Sequence, residues 1–281
     1  MAVIFLFASA LCWVLFDLLR KKLAATESPL ALVTAFNVGA VPLYLLGYIF
    51  FEDVPIEQAY FVPGLIAAGL AVLSALGFVS ALKHGDISKV IPVLALTPII
   101  STVAAAVFLG EVLTMAQWIA MITVVIAIVG AQGGIGNIKN QVFVIMVLVS
   151  FGWGLGIVAD KMALQHAGPF FHGVMQTSLA SMILVQAFTR GYPTGRISLS
   201  FSRAAWWILP ALLAFFVAVL AQWLALADLD AGVIETVKRS VGIVGAVIAG
   251  MLVFKERVSR AQIFWCLVIL SGIPVILQPE I

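Results

Sequence analysis

Long apolar runs recur along the whole chain, parted only by short polar breaks, and this feature decides what the chain can fold into. A helix needs about 20 residues to cross a bilayer, with a range of roughly 17–25. Ten tracts qualify: 3–19, 30–51, 61–82, 87–109, 114–132, 142–160, 169–188, 205–227, 232–254 and 260–277. The breaks carry turn chemistry, as in "TESP" (26–29), "EDVP" (52–55), "KHGD" (83–86) and "DLDAG" (228–232). With 63% hydrophobic and 10% charged residues in 281, no soluble fold of this size hides its apolar surface. The expectation is an all-α integral membrane protein of ten transmembrane helices.

Several functions are excluded early. No basic run is long enough to hold nucleic acid, and the net charge is only +2. Cys12 and Cys266 both lie in apolar tracts and read as free buried thiols. No Lys or Arg precedes the first apolar run, and Ala8-Ser9-Ala10 comes too early for a cleavage site, so that run reads as a retained span. There is no G-x-S-x-G and no His pair at i,i+4, so the chain is expected not to be an enzyme. No metal site and no cofactor are expected from the three histidines and two cysteines.

The two halves echo each other. "FLGEVLTMAQW" (108–118) aligns with "VFKERVSRAQI" (253–263), placing Glu111 on Glu256, Thr114 on Ser259 and Gln117 on Gln262 at one offset of 145. "WVLFDLLRK" (13–21) and "WGLGIVADK" (153–161) share Trp and Lys at an offset of 140. The chain therefore divides into repeats at 1–136 and 137–281. Each repeat has five spans, an odd number, so the second enters the membrane from the opposite face. Inverted repeats place a binding site near mid-membrane, between halves that can rock. Thr114-x-x-Gln117 and Ser259-x-x-Gln262 read as capping boxes opening spans five and ten, with Glu111 and Glu256 in structural hairpins. Twelve of the fifteen Lys and Arg fall on one side; Lys161, Lys238 and Arg239 make up the other. The positive-inside rule puts both termini outside the cytoplasm.

These hairpins, with "ISKVIPVLALTPIISTVAAAVFLGE" (87–111) and "VKRSVGIVGAVIAG" (237–250) before them, resemble the EamA-type drug/metabolite transporter superfamily over essentially the whole chain. The resemblance implies a secondary transporter, often a metabolite exporter. Helices one, three, four, six, eight and nine would line its path, with five and ten outside. It also implies cytoplasmic termini, against the charge distribution here, which leaves the transport direction open.

Charged residues inside the tracts mark the candidate site. Glu235, Lys238 and Arg239 sit in the first turns of span nine, with Glu235 and Arg239 four apart on one face. That face continues through Gly242, Ala246 and Ala249/Gly250, small residues suited to close packing or to a passing solute. An Arg or Lys at the bilayer centre costs roughly 2.5–3.5 kcal/mol, so such residues are expected to have a task or a partner. Two cations facing one acid leave a surplus that suits an anionic group. Trp13 and Asp17 share a face of span one, Trp153 lies at the matching place in span six, and Asn37 and Gln222 are mid-span amides. All eight are candidate solute-binding residues. Asp17 with Arg20 or Lys21 forms an inner gate; Pro92 and Pro98 kink or loosen span four; Lys161 reads as an interfacial partner of Asp160. His166 and His172 flank a loop on the outer side.

The expected function is secondary active transport, by export or exchange, of a small polar or amphipathic metabolite such as an amino acid or organic anion. Protons or a counter-solute would drive it, since no G-x-x-x-x-G-K-[ST] loop is present. The expected setting is the bacterial inner membrane, as a monomer or homodimer. Lipid flipping and a non-transporting scaffold role remain alternatives at this point.

Overall fold

The protein is described here from a computed structural model, over residues 1–23, 27–84, 91–133, 140–191, 205–252 and 258–278. Among the described residues there are ten α-helices: α1 (Ala2–Leu23), α2 (Pro29–Phe51), α3 (Phe61–His84), α4 (Thr97–Phe108), α5 (Met115–Ala131), α6 (Asn140–Leu164), α7 (Pro169–Gly191), α8 (Ala205–Leu226), α9 (Ala231–Leu252) and α10 (Arg260–Ile276). Among the described residues there is no strand. Five stretches of the described residues are long and apolar enough to cross a membrane: Ala2–Arg20, Leu30–Phe51, Gln58–Phe78, Gln141–Leu164 and Trp206–Leu226. Phe51, Leu73, Val107 and Trp206 are exposed on the outside of the bundle, as a lipid-facing surface requires.

The fourth tract departs from a simple span. Its α-helix begins only at Thr97, after a 3-10 segment over Ile91–Leu96. Pro98 therefore sits in the first turn of α4, where it lacks no needed donor, and does not kink a helix interior. Residues 87–90 and the side chain of Pro92 lie outside those described. Twelve α-helical and six 3-10 residues together reach about 30 Å, the thickness of the hydrocarbon core.

Packing pairs each helix across the two halves. The most extensive contacts are α3 on α6, α1 on α8, α2 on α7 and α5 on α10, followed by α1 on α9 and α4 on α6, then α4 on α9 and α3 on α7. Replacing every helix by the one five places along returns all of these pairs except α3 on α7, whose counterpart, α2 on α8, is a smaller contact. Small residues allow the close approaches. The alanine stripe Ala211, Ala214, Ala218, Ala221 and Ala225 is buried, and Ser9 of α1 donates to the Ala218 carbonyl of α8 at 2.7 Å. A Cβ on Gly154 of α6 would stand 3.2 Å from the Ser101 amide nitrogen of α4.

Both capping boxes are formed, at Thr114–Gln117 and Ser259–Gln262. They differ in reach. Gln117 also donates through Nε2 to the Ile276 and Gln278 carbonyls, closing the end of α10 at 3.2 and 3.1 Å. Gln117→Ala should thus cost about 2 kcal/mol against about 1 for Gln262→Ala. Melting of the purified variants reads the difference; equal losses would show that the bond to α10 is worth nothing.

Candidate functional site

The charges of α9 meet two tryptophans and one amide. Glu235 is almost fully buried, with its side chain 3% exposed. Lys238 is ion-paired to it and donates to Gln222 Oε1 of α8 at 2.8 Å. Arg239 Nε lies 3.6 Å from Glu235 Oε2, an ion pair too long for a hydrogen bond. The Lys238 ammonium stands 5.9 Å from the ring centre of Trp13, and the Arg239 guanidinium 5.5 Å from that of Trp153. Trp13 and Trp153 thus each face one of two neighbouring cations, within cation–π range.

Three polar atoms here are buried without a hydrogen-bond partner among the described residues: Trp13 Nε1, Glu235 Oε2 and Arg239 Nε. Two are donors and one is an acceptor. A buried polar group left in this condition costs about 1–3 kcal/mol; two of the three, Glu235 Oε2 and Arg239 Nε, face each other at 3.6 Å. Farther along the face, a Cβ on Gly242 would meet nothing within 4 Å, while one on Gly245 would meet Val14 of α1 at 2.7 Å. The small-residue face of α9 is open at one of these positions and packed at the other.

Toward the other end of α1, an aromatic layer follows. Trp13, Phe16, Phe36 and Phe215 stack with ring centres 5.0–6.4 Å apart. Arg20 lies 5.3 Å from Phe16 and 5.9 Å from Phe78, and Phe78 is 5.3 Å from Trp153. Arg20 also pairs with Asp17 at 2.8 Å, where the carboxylate side chain is 55% exposed. Asp17 is thus held by the neighbouring cation at the rim. The Lys21 side chain lies outside those described. Asn37 donates to the Val33 carbonyl of its own helix.

Lys161 corrects a sequence expectation. Its partner is Glu111, at 2.5 Å, with a further bond to the Leu229 carbonyl. Neighbouring side chains on a helix point about 100° apart, so Asp160 and Lys161 cannot share one direction. Glu111 also accepts from the Ala231 amide, capping α9 from the α4–α5 hairpin. Glu52, at the end of α2, does the same for α7, accepting from Phe170 and Phe171. Glu256 lies outside the described residues.

Asp160 belongs to another group. It accepts from His172 Nε2 at 3.0 Å, Gln176 Nε2 at 2.9 Å and Trp223 Nε1 at 3.3 Å. His172 Nδ1 lies 2.9 Å from the Tyr60 hydroxyl. His172, in the first turn of α7 just after the loop, is fully buried; His166 lies in the loop itself, bound to Glu57.

The sequence model of the EamA-like transporter family matches residues 1–131 and again 141–278. The chain belongs to the EamA-like transporter family. A protein of known crystal structure superposes on it with a TM-score of 0.78, covering 98% of this chain and 96% of that one at 15% identity, a likeness of fold. An uncharacterised protein of Methanocaldococcus jannaschii is 28% identical over 109 residues, 38% of this chain and 80% of its own. Membership makes this EamA-like chain an integral membrane transporter of the drug/metabolite type, not an enzyme.

Proposed function

We propose that the chain is a secondary active transporter of a small solute that carries a carboxylate or other anionic group, such as an amino acid or organic anion. The solute occupies the space between Trp13 and Trp153 and is held by Glu235, Lys238 and Arg239, with Gln222 fixing the lysine. The observation that carries this reading is the trio of buried polar atoms without a hydrogen bond at Trp13, Glu235 and Arg239, two of which hold each other only as a long ion pair. A carboxylate accepts from the two donors, and an ammonium or hydroxyl group donates to the carboxylate oxygen.

The halves 1–136 and 137–281 act as inverted repeats that rock about this site. The exchange of packing partners between the halves supports that reading. The side carrying both termini is extracytoplasmic by the Lys and Arg distribution. Glu111–Lys161 closes that side, and Arg20, seated between Phe16 and Phe78, closes the other. Asp17 and Asn37 act at the margins of the path.

A thermal-shift screen of the purified protein against amino acids and organic anions tests the solute class, because a ligand of the folded state raises the melting temperature. Hits are then followed as labelled flux in proteoliposomes, with Gly242→Phe alongside. The first added carbon meets nothing within 4 Å, so folding is expected to be retained while flux falls at least about tenfold. Lipid scrambling with no solute flux would overturn the proposal.

A further inference from the structure

The solute site holds more positive than negative charge, and that surplus bears on which solute fits. Lys238 is ion-paired to Glu235 and donates a further proton to Gln222 Oε1 at 2.8 Å. Whichever partner of the ion pair holds the shared proton, the two sum to zero. Arginine keeps its charge in proteins, so the guanidinium of Arg239 is left over as one positive charge. Neighbouring acids offer this site no free oxygen. Asp17 is held by Arg20 at the rim, and Asp160 accepts from His172, Gln176 and Trp223.

The buried atoms without a hydrogen bond narrow the choice further. Trp13 Nε1 and Arg239 Nε can only donate, and the ionised Glu235 Oε2 can only accept. Glu235 Oε2 and Arg239 Nε stand 3.6 Å apart, too far to satisfy each other. A solute that completes all three brings an anionic acceptor for the two donors and one donor for Glu235. That donor is a hydroxyl or an ammonium group, and charge decides between them. At hydrogen-bond distance from Glu235 Oε2, an ammonium stands beside the Arg239 guanidinium, while the other oxygen of the same carboxylate is bound to Lys238. It would be the third cation around one acid. An amino acid, neutral overall, also leaves the surplus charge of a buried site uncancelled. A hydroxyl adds no charge, and the single carboxylate of a hydroxy acid brings the site to zero.

We propose that the site selects a monovalent hydroxycarboxylate over the amino acid of the same shape. The hydroxyl donates to Glu235 Oε2, and the carboxylate accepts from Trp13 Nε1 and Arg239. The inference rests on the solute-site reading above and narrows its solute class. Lys238 is then a specificity-determining residue. It occupies the oxygen that an ammonium group would otherwise use, and it cancels the charge of Glu235 so that Arg239 is left to the solute.

The test compares compounds that differ in one group. Full-length protein in lipid nanodiscs is titrated near pH 7 with lactate and alanine, with 2-hydroxyisocaproate and leucine, and with 3-phenyllactate and phenylalanine. At that pH the hydroxy acids are monoanions and the amino acids zwitterions. In the pair whose side chain fits, the hydroxy acid is expected to bind at least about tenfold tighter. Its deoxy analogue (propionate, 4-methylpentanoate or 3-phenylpropionate) keeps the charge and loses the hydroxyl. It should bind about three- to tenfold more weakly than the hydroxy acid, the worth of one hydrogen bond. Lys238→Met leaves Glu235 and Arg239 as a balanced pair and frees an oxygen of Glu235, so the preference should fall or reverse toward the amino acid. Where Lys238→Met does not fold, Lys238→Gln gives the same reading and keeps a donor for Gln222. An amino acid that binds as tightly as its hydroxy acid overturns the proposal and leaves the solute site standing. A deoxy acid as tight as the hydroxy acid overturns the bond to Glu235. An unchanged preference in the Lys238 variant overturns the role of that lysine. No binding by any of these compounds overturns the anion site together with this inference.

Discussion

Glu235→Gln should destabilise the folded protein by about 3–5 kcal/mol, the usual cost of removing one partner from a buried ion pair. Glu235 is 2% exposed and balances two cations on its own helix, Lys238 three residues on and Arg239 four. A neutral amide leaves both cations uncompensated in the interior, with Lys238 held by the dipole of Gln222 alone. Thermal melting in detergent reads the loss. The cause is separated from simple loss of packing by Glu235→Gln/Lys238→Met, which removes one positive charge with the negative one. That double variant should regain more than half of the lost stability, and failure to do so would show that charge balance is not what Glu235 supplies.

The charged face of α9 was legible because its spacing is local. Residues three and four apart on a helix share a direction, so the pairing of Glu235 with Lys238 and Arg239 follows from the sequence alone. The capping boxes were legible for the same reason. What the sequence did not disclose is long-range. Tyr60 and His172 are 112 positions apart, Glu52 reaches amides 118 and 119 positions away, and Glu111 caps a helix 120 positions on. No periodicity carries such pairings; they arise from how the halves pack. A signal was present for Asp160: a carboxylate inside an apolar tract must be satisfied there, and Lys161 beside it points elsewhere. The same reasoning explains span four, where two prolines were visible but the 3-10 geometry before Thr97 depends on packing against α5 and α6.

Arg239→Ala should abolish transport, lowering flux at least about 100-fold, while leaving the melting temperature within a few degrees of wild type. The asymmetry with Glu235 follows from charge. Removing Arg239 leaves Glu235 and Lys238 as a balanced pair, so the interior gains no uncompensated charge. The solute loses the guanidinium whose Nε has no hydrogen bond and which lies against the face of Trp153. A charge-assisted hydrogen bond to a carboxylate contributes about 1.5–3 kcal/mol, and the planar fork also fixes its orientation. Arg239→Lys separates the two contributions. It keeps the charge but not the fork, so it should restore part of the flux with a weakened apparent affinity. Flux in proteoliposomes, normalised to inserted protein, measures both variants. Wild-type flux in Arg239→Ala would remove Arg239 from the solute site, and with it the reason for two cations beside one buried acid. Loss of flux together with loss of folding would instead make the arginine a structural partner of Glu235, a result that the intact Lys238 pair argues against.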